Sequence, residues 1–146
     1  MLSLLAEILG RAALDTGGET FLGHVGGDDF VAVTDPGRAQ GLADAVIGDF
    51  DARIRFLYEP DDWKRGGIEV RDRTGHSRRF PPVSLTVAVV EERSGQLGHI
   101  GRLNALAAEL KQFGKSRPGS AVVRDRRDGE TGAGLAVAQG DQSESN

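Results

Sequence analysis

Two adjacent carboxylates, Asp28 and Asp29, follow a pair of glycines in this chain. Apolar residues flank the Gly-Gly-Asp-Asp segment on both sides, which predicts a β-hairpin with the carboxylates at its tip. Gly26 and Gly27 permit tight backbone geometry and the close approach of a ligand. Hard carboxylate oxygens held at a turn suit Mg²⁺ that also contacts phosphates. The alternative is an ordinary hairpin turn, because Gly and Asp are common turn residues.

With its flanking strands, the segment Gly-Gly-Asp-Asp-Phe resembles the GGDEF domain of diguanylate cyclases, with Asp in place of Glu at the fourth position. The downstream order agrees: a long helix, a β-branched strand, another helix, and Lys115 before a last strand. The resemblance covers about residues 2–125. It implies a ferredoxin-like palm that condenses two GTP molecules to cyclic di-GMP, using two Mg²⁺ ions and two GTP-loaded domains that face each other.

The resemblance also implies roles for particular residues. Asp28 would be a metal ligand and would contribute to activating the attacking 3′-hydroxyl, with Asp29 in a supporting role beside it. Gly26 and Gly27 would let GTP pass over the hairpin, and Lys115 would contact phosphate. An ammonium group also suits triphosphate as a point charge. The alternative for Lys115 is a solvated lysine favoured by the helix dipole.

The sequence departs from the family pattern at its beginning. Members of the family have an earlier strand with a second metal carboxylate, and then a helix with a guanine-reading Asn; neither region is present here. The family's second guanine-reading residue, an Asp, falls at about Leu2. We therefore expect a GGDEF-type signalling domain that is inactive as an isolated chain. Two alternatives remain open: a catalytically dead nucleotide-binding or protein-interaction module, and a gene fragment without function.

The elements that must position these residues follow from periodicity and turn signals. Their order predicts an α+β fold: a ferredoxin-like palm lacking its first, central strand, with helices on one face of a mostly antiparallel sheet. Residues 30–33 are apolar on both faces, which predicts a covered central strand. The predicted helices span residues 2–14, 36–57 and 100–113, and the predicted strands span residues 20–25, 30–34, 68–73, 77–80, 83–90 and 120–124.

The missing strand has a consequence for partners. Residues 30–33 and 83–90 would each present an unpaired apolar edge, and such edges invite pairing with another chain. We therefore predict a homo-oligomer, or a partner chain that completes the sheet. His24, beside the motif, is interpreted as a packed or hydrogen-bonded residue, because a lone His is seldom catalytic.

Composition bounds the remaining possibilities. The 146 residues contain no Cys, which is compatible with a reducing cytoplasm, and no apolar run is long enough to insert into a membrane. Residues 1–127 form the predicted domain, and residues 128–146 are predicted to be a disordered acidic tail.

Residues 28–62 hold nine acids against three bases, whereas residues 64–79 hold six bases against two acids. This segregation suits a metal–phosphate ligand better than duplex nucleic acid; the alternative is that these are the solvated charges of an arginine-rich composition.

Overall fold

The computed structural model describes residues 1–91, 100–125 and 136–139. Within these residues the chain forms four α-helices and seven strands, so the predicted α+β class is confirmed. A 3₁₀ turn at Arg55–Leu57 extends the second helix. The helices are α1 (Leu2–Asp15), α2 (Pro36–Ile54), α3 (Pro60–Lys64) and α4 (Ile100–Lys115), and the strands are β1 (Phe21–Gly26), β2 (Asp29–Val33), β3 (Ile68–Arg71), β4 (Ser77–Phe80), β5 (Thr86–Val89), β6 (Ala121–Arg124) and β7 (Ala136–Gln139).

The largest part of the core lies between α1 and α2. Apolar residues recur at helical spacing on both helices, so each presents one apolar stripe to the other. Phe30 of β2 and Leu85, just before β5, both pack against this cluster. One helical layer therefore underlies both the motif hairpin and the β5 region. The buried members of the cluster are Leu5, Ile8, Ala12, Leu42, Val46, Phe50 and Ile54.

Helices cover both faces of the β5–β6 pair, so the prediction of helices on one face is wrong. On one face Val122 packs with Ala43 of α2. On the other face Val123 packs with Leu110 of α4. The reason is that β5 and β6 are parallel, so the chain must return across one face of the sheet from the end of β5 to the start of β6. Helix α4 belongs to that connection. Because residues alternate between faces along a strand, both faces of β6 become apolar.

The strands form three separate small sheets, whereas the sequence predicted a single, mostly antiparallel one. Within the described residues β1 pairs with β2, β3 pairs with β4, and β5 pairs with β6, which also pairs with β7. The strands β2 and β5 do not pair with each other, and each has one neighbour among the strands that the structure describes. Among the described residues, the free edges predicted at 30–33 and 83–90 are therefore present on β2 and β5. The ferredoxin-like palm and the oligomer stay predictions.

The β1–β2 hairpin is open to solvent on much of its surface, so the prediction that residues 30–33 form a covered strand is wrong. Val31 is 38% exposed, Val33 is 60% exposed and Phe21 is 65% exposed. The face that carries Phe30 packs against the α1–α2 cluster, whereas the face with Val31 and Val33 does not. Apolar character on both faces indicated burial, but none of the described strands lies beside β2 on its free edge to extend the covered sheet.

Ser120 is a buried polar residue that joins α2 to the start of the β5–β6 pair. Its Oγ donates a hydrogen bond to Oδ1 of Asp51 at 2.5 Å and accepts one from the backbone N–H of Leu85 at 3.0 Å. The side chain thus satisfies a backbone donor that lies just before β5, as buried polar groups require. At the opposite end of this pair, Arg124 forms an ion pair with Glu91.

Two further segments contain elements that the sequence did not predict. Residues 128–146 are predicted to be disordered, but Ala136–Gln139 form β7, antiparallel to β6; the rest of that segment lies outside the described residues. The polar stretch between α2 and β3 contains α3, because Pro60 at the first helical position is followed by acids that suit a helix N-terminus. None of the described helices combines the length and hydropathy needed to cross a membrane.

Candidate functional site

The Gly-Gly-Asp-Asp segment forms the predicted hairpin tip. Gly26 pairs with Asp29, which leaves Gly27 and Asp28 as a two-residue turn. Gly26 and Gly27 have φ angles of 140° and 58°, a region that favours glycine over residues with a Cβ. A Cβ added at either glycine would meet no atom within 4 Å, so the requirement is conformational and the space above the turn is open.

His24 holds this turn from the first strand. Its Nε2 lies 3.0 Å from the carbonyl oxygen of Gly27, and because a carbonyl only accepts, Nε2 donates. The imidazole stacks on the ring of Phe30, its cross-strand partner, with 4.6 Å between the ring centroids. The prediction that His24 is a packed or hydrogen-bonded residue is confirmed. Its effect is to fix the orientation of the turn that carries Asp28.

Asp29 pairs with a lysine from a distant part of the sequence. Nζ of Lys111, on α4, donates to Oδ1 of Asp29 at 2.5 Å. This hydrogen bond, together with the charges of Lys111 and Lys115, holds the pKa of Asp29 below its ordinary value. Asp29 is therefore an ionised carboxylate whose charge is balanced by Lys111. Its supporting role stays a prediction.

Lys111 is the residue that sequence reasoning missed. The prediction named Lys115, which acts on Asp29 through its charge, but the lysine in contact is Lys111, one helical turn earlier. Residues four apart lie on the same helix face, so the Lys111–Lys115 spacing was the available signal. The structure thus brings Asp29 of β2 close to Lys111 and Lys115 of α4. Asp29 and Lys111 are 82 residues apart in sequence.

Asp28 differs from Asp29 in its surroundings. It is exposed at the turn, and within the described part of the chain it makes no hydrogen bond or ion pair. Its two oxygens are therefore accessible to a cation or another ligand. Leu2, where the resemblance places a guanine-reading Asp, is the first residue of α1 and is 41% exposed. Its apolar side chain has no hydrogen-bonding group to offer a base.

The site fits Mg²⁺ only when the ligand supplies most of the oxygens. Residues 1–91 and 100–125 contain no group of three or more His, Cys, Asp or Glu side chains that could hold a metal ion. Asp29 is engaged by Lys111, which leaves Asp28 as the available carboxylate at the tip. Mg²⁺ is commonly bound by one or two carboxylates together with substrate phosphates and water. The residues present therefore suit a magnesium–phosphate complex better than the free ion.

Comparison of this chain with protein-family models, with curated proteins and with solved structures found no match.

Proposed function

We propose that the chain is a GGDEF-type signalling module that binds the magnesium complex of a nucleoside triphosphate at the β1–β2 hairpin. The observation that carries the proposal is that the two carboxylates at the tip have different surroundings. The turn presents Asp28 to solvent, while α4 brings Lys111 and Lys115 to the neighbouring carboxylate. A carboxylate for the metal and ammonium groups for phosphate oxygens then lie on adjacent elements.

Each group has a distinct task in this proposal. Asp28 contributes a metal oxygen, and Gly26 and Gly27 leave the turn open for the phosphates to approach. Lys115 contributes its positive charge at Asp29, and Lys111 fixes the position of α4 against the hairpin. When bound, Mg²⁺ would screen the triphosphate charge. Because Leu2 has no hydrogen-bonding group where the resemblance places the base-reading Asp, recognition is directed at the phosphates.

The binding prediction is tested by calorimetry. We expect the magnesium complexes of GTP and ATP to bind with similar dissociation constants, and EDTA to weaken both. Replacing Asp28 or Lys115 with Ala removes a charge-assisted contact and should raise the dissociation constant about 10- to 100-fold.

The matched controls are Asp61→Ala and Lys64→Ala, two exposed charges on α3. They change net charge by the same amounts but should leave the dissociation constant unchanged. Equal losses of affinity in the control and tip variants would show that overall charge causes the effect and would contradict the assignment of the site. Tight binding that survives both Asp28→Ala and Lys115→Ala would also contradict it.

The chain alone is expected to make no cyclic di-GMP from GTP and Mg²⁺. Phosphoryl transfer depends on positioning and charge stabilisation, and the described tip offers one available carboxylate. Product formation is measured by chromatography of the reaction mixture. Cyclic di-GMP that disappears in the Asp28→Ala variant would show instead that the hairpin supports catalysis.

A further inference from the structure

The β3–β4 hairpin projects from the body with both faces open. Every residue of the two strands is exposed, and among the described elements its main contact outside itself is with α3. An isolated two-stranded hairpin is at best marginally stable in water, so this one must gain order from its turn or from a partner.

The turn is ordered by Asp72. Oδ1 of Asp72 accepts hydrogen bonds from the N–H of Thr74 at 2.9 Å, from its hydroxyl at 2.6 Å, and from the N–H of His76 at 3.0 Å. The bond from the Thr74 hydroxyl and those from the backbone lower the pKa of Asp72, so the carboxylate stays ionised. The carboxylate of Asp72 accepts hydrogen bonds from within the turn, so the charge that the hairpin presents to a partner comes mainly from its other residues.

The other residues of the hairpin form one largely apolar face and include an excess of arginines. The register pairs Ile68 with Phe80 and Val70 with Arg78, which puts these four side chains on one face. Ile68 is 41% exposed, Val70 is 48% exposed and Phe80 is 53% exposed. The hairpin and its turn carry four arginines against the acids Glu69 and Asp72; the arginines are Arg71, Arg73, Arg78 and Arg79.

We propose that the β3–β4 hairpin is a docking surface for the anionic surface of a phospholipid bilayer. The charges are complementary, because Arg78 shares the face of the three apolar side chains and meets lipid phosphates while those side chains enter the interface between headgroups and acyl chains. Arg71 and Arg79 lie on the opposite face and add to the attraction through their charge. Duplex nucleic acid would use the same arginines but would leave Ile68, Val70 and Phe80 in contact with a charged backbone. The combination of arginines and large apolar residues therefore favours the lipid surface.

The experiment is co-sedimentation of the full chain with vesicles. The probe is phosphatidylcholine containing about one quarter phosphatidylglycerol, with pure phosphatidylcholine as the neutral comparison. We expect binding to the anionic vesicles, weakened by salt, and little binding to the neutral ones. Each arginine near an anionic surface contributes about a fivefold increase in partitioning, so Arg78→Glu should lower it more than fivefold. Phe80→Ser should lower it about tenfold.

Matched controls separate the hairpin from general charge and hydrophobicity. Arg11→Glu makes the same charge change at an exposed position of α1, and Phe21→Ser removes a similarly exposed aromatic residue from the other hairpin. Both should partition like the unaltered chain. Circular dichroism of each variant establishes that the fold is retained.

Three results would overturn the proposal. One is equal binding to neutral and anionic vesicles. Another is equal loss in the control and hairpin variants. The third is tighter binding to a DNA duplex than to vesicles, sensitive to Arg78→Glu but not to Phe80→Ser, which would identify a nucleic-acid surface.

Discussion

Replacing Phe50 with Ala is expected to lower the free energy of unfolding by about 3–5 kcal/mol. Phe50 is 2% exposed and lies at the centre of the α1–α2 cluster, between Val46 and Ile54 on its own helix. The substitution removes a large buried ring and leaves a cavity that the surrounding helices fill only in part. Small domains are stable by about 5–15 kcal/mol, so this loss is a large fraction of the total.

Urea denaturation followed by the fluorescence of Trp63 measures the effect, because this single tryptophan packs against the same cluster. Phe56→Ala is the matched control: Phe56 is 72% exposed on the 3₁₀ turn that follows α2, and its loss should change stability by about 0.5 kcal/mol or less. Similar midpoints for the two variants would show that α1 and α2 do not form the core described here.

Gly114→Ala is expected to destabilise the chain by about 1–3 kcal/mol, although Ala is the better helix former. A Cβ at this position would lie 2.3 Å from Cγ2 of Thr86 and 3.0 Å from Cγ2 of Val123. Both neighbours are β-branched side chains with little rotamer freedom, so α4 would have to move away from the β5–β6 pair. Because α4 also carries Lys111 and Lys115, nucleotide binding should weaken as well.

The control is Gly101→Ala in the same helix, where an added Cβ meets nothing within 4 Å. This variant should gain about 0.5–1 kcal/mol from helix propensity, so the two substitutions have opposite signs. Combining Gly114→Ala with Thr86→Ser removes the closest methyl group and should restore part of the loss. A thermal melt in which both Gly→Ala variants stabilise the chain would contradict the close packing of α4 on the strands.

The local structure of the candidate site was predictable from the sequence. The Gly-Gly-Asp-Asp segment between apolar runs predicted the hairpin. Glycine permits the positive φ angles that Gly26 and Gly27 adopt there. The long helices were also predictable, because the stripe containing Leu42, Val46 and Phe50 repeats at helical spacing. Such features depend on residues that are close in sequence, so local patterning carries the information.

Tertiary structure alone decided which lysine meets the hairpin and which surfaces are covered. The pairing of Lys111 with Asp29 depends on where α4 docks, and that is set by Gly114 against Thr86 and by Leu110 against β6. Likewise, the apolar pattern of residues 30–33 indicated a covered strand, but β2 pairs with β1 alone among the described strands, and Val33 is exposed. Periodicity reports which side chains are apolar. Burial also requires a second surface to pack against, and that surface comes from elements distant in the chain.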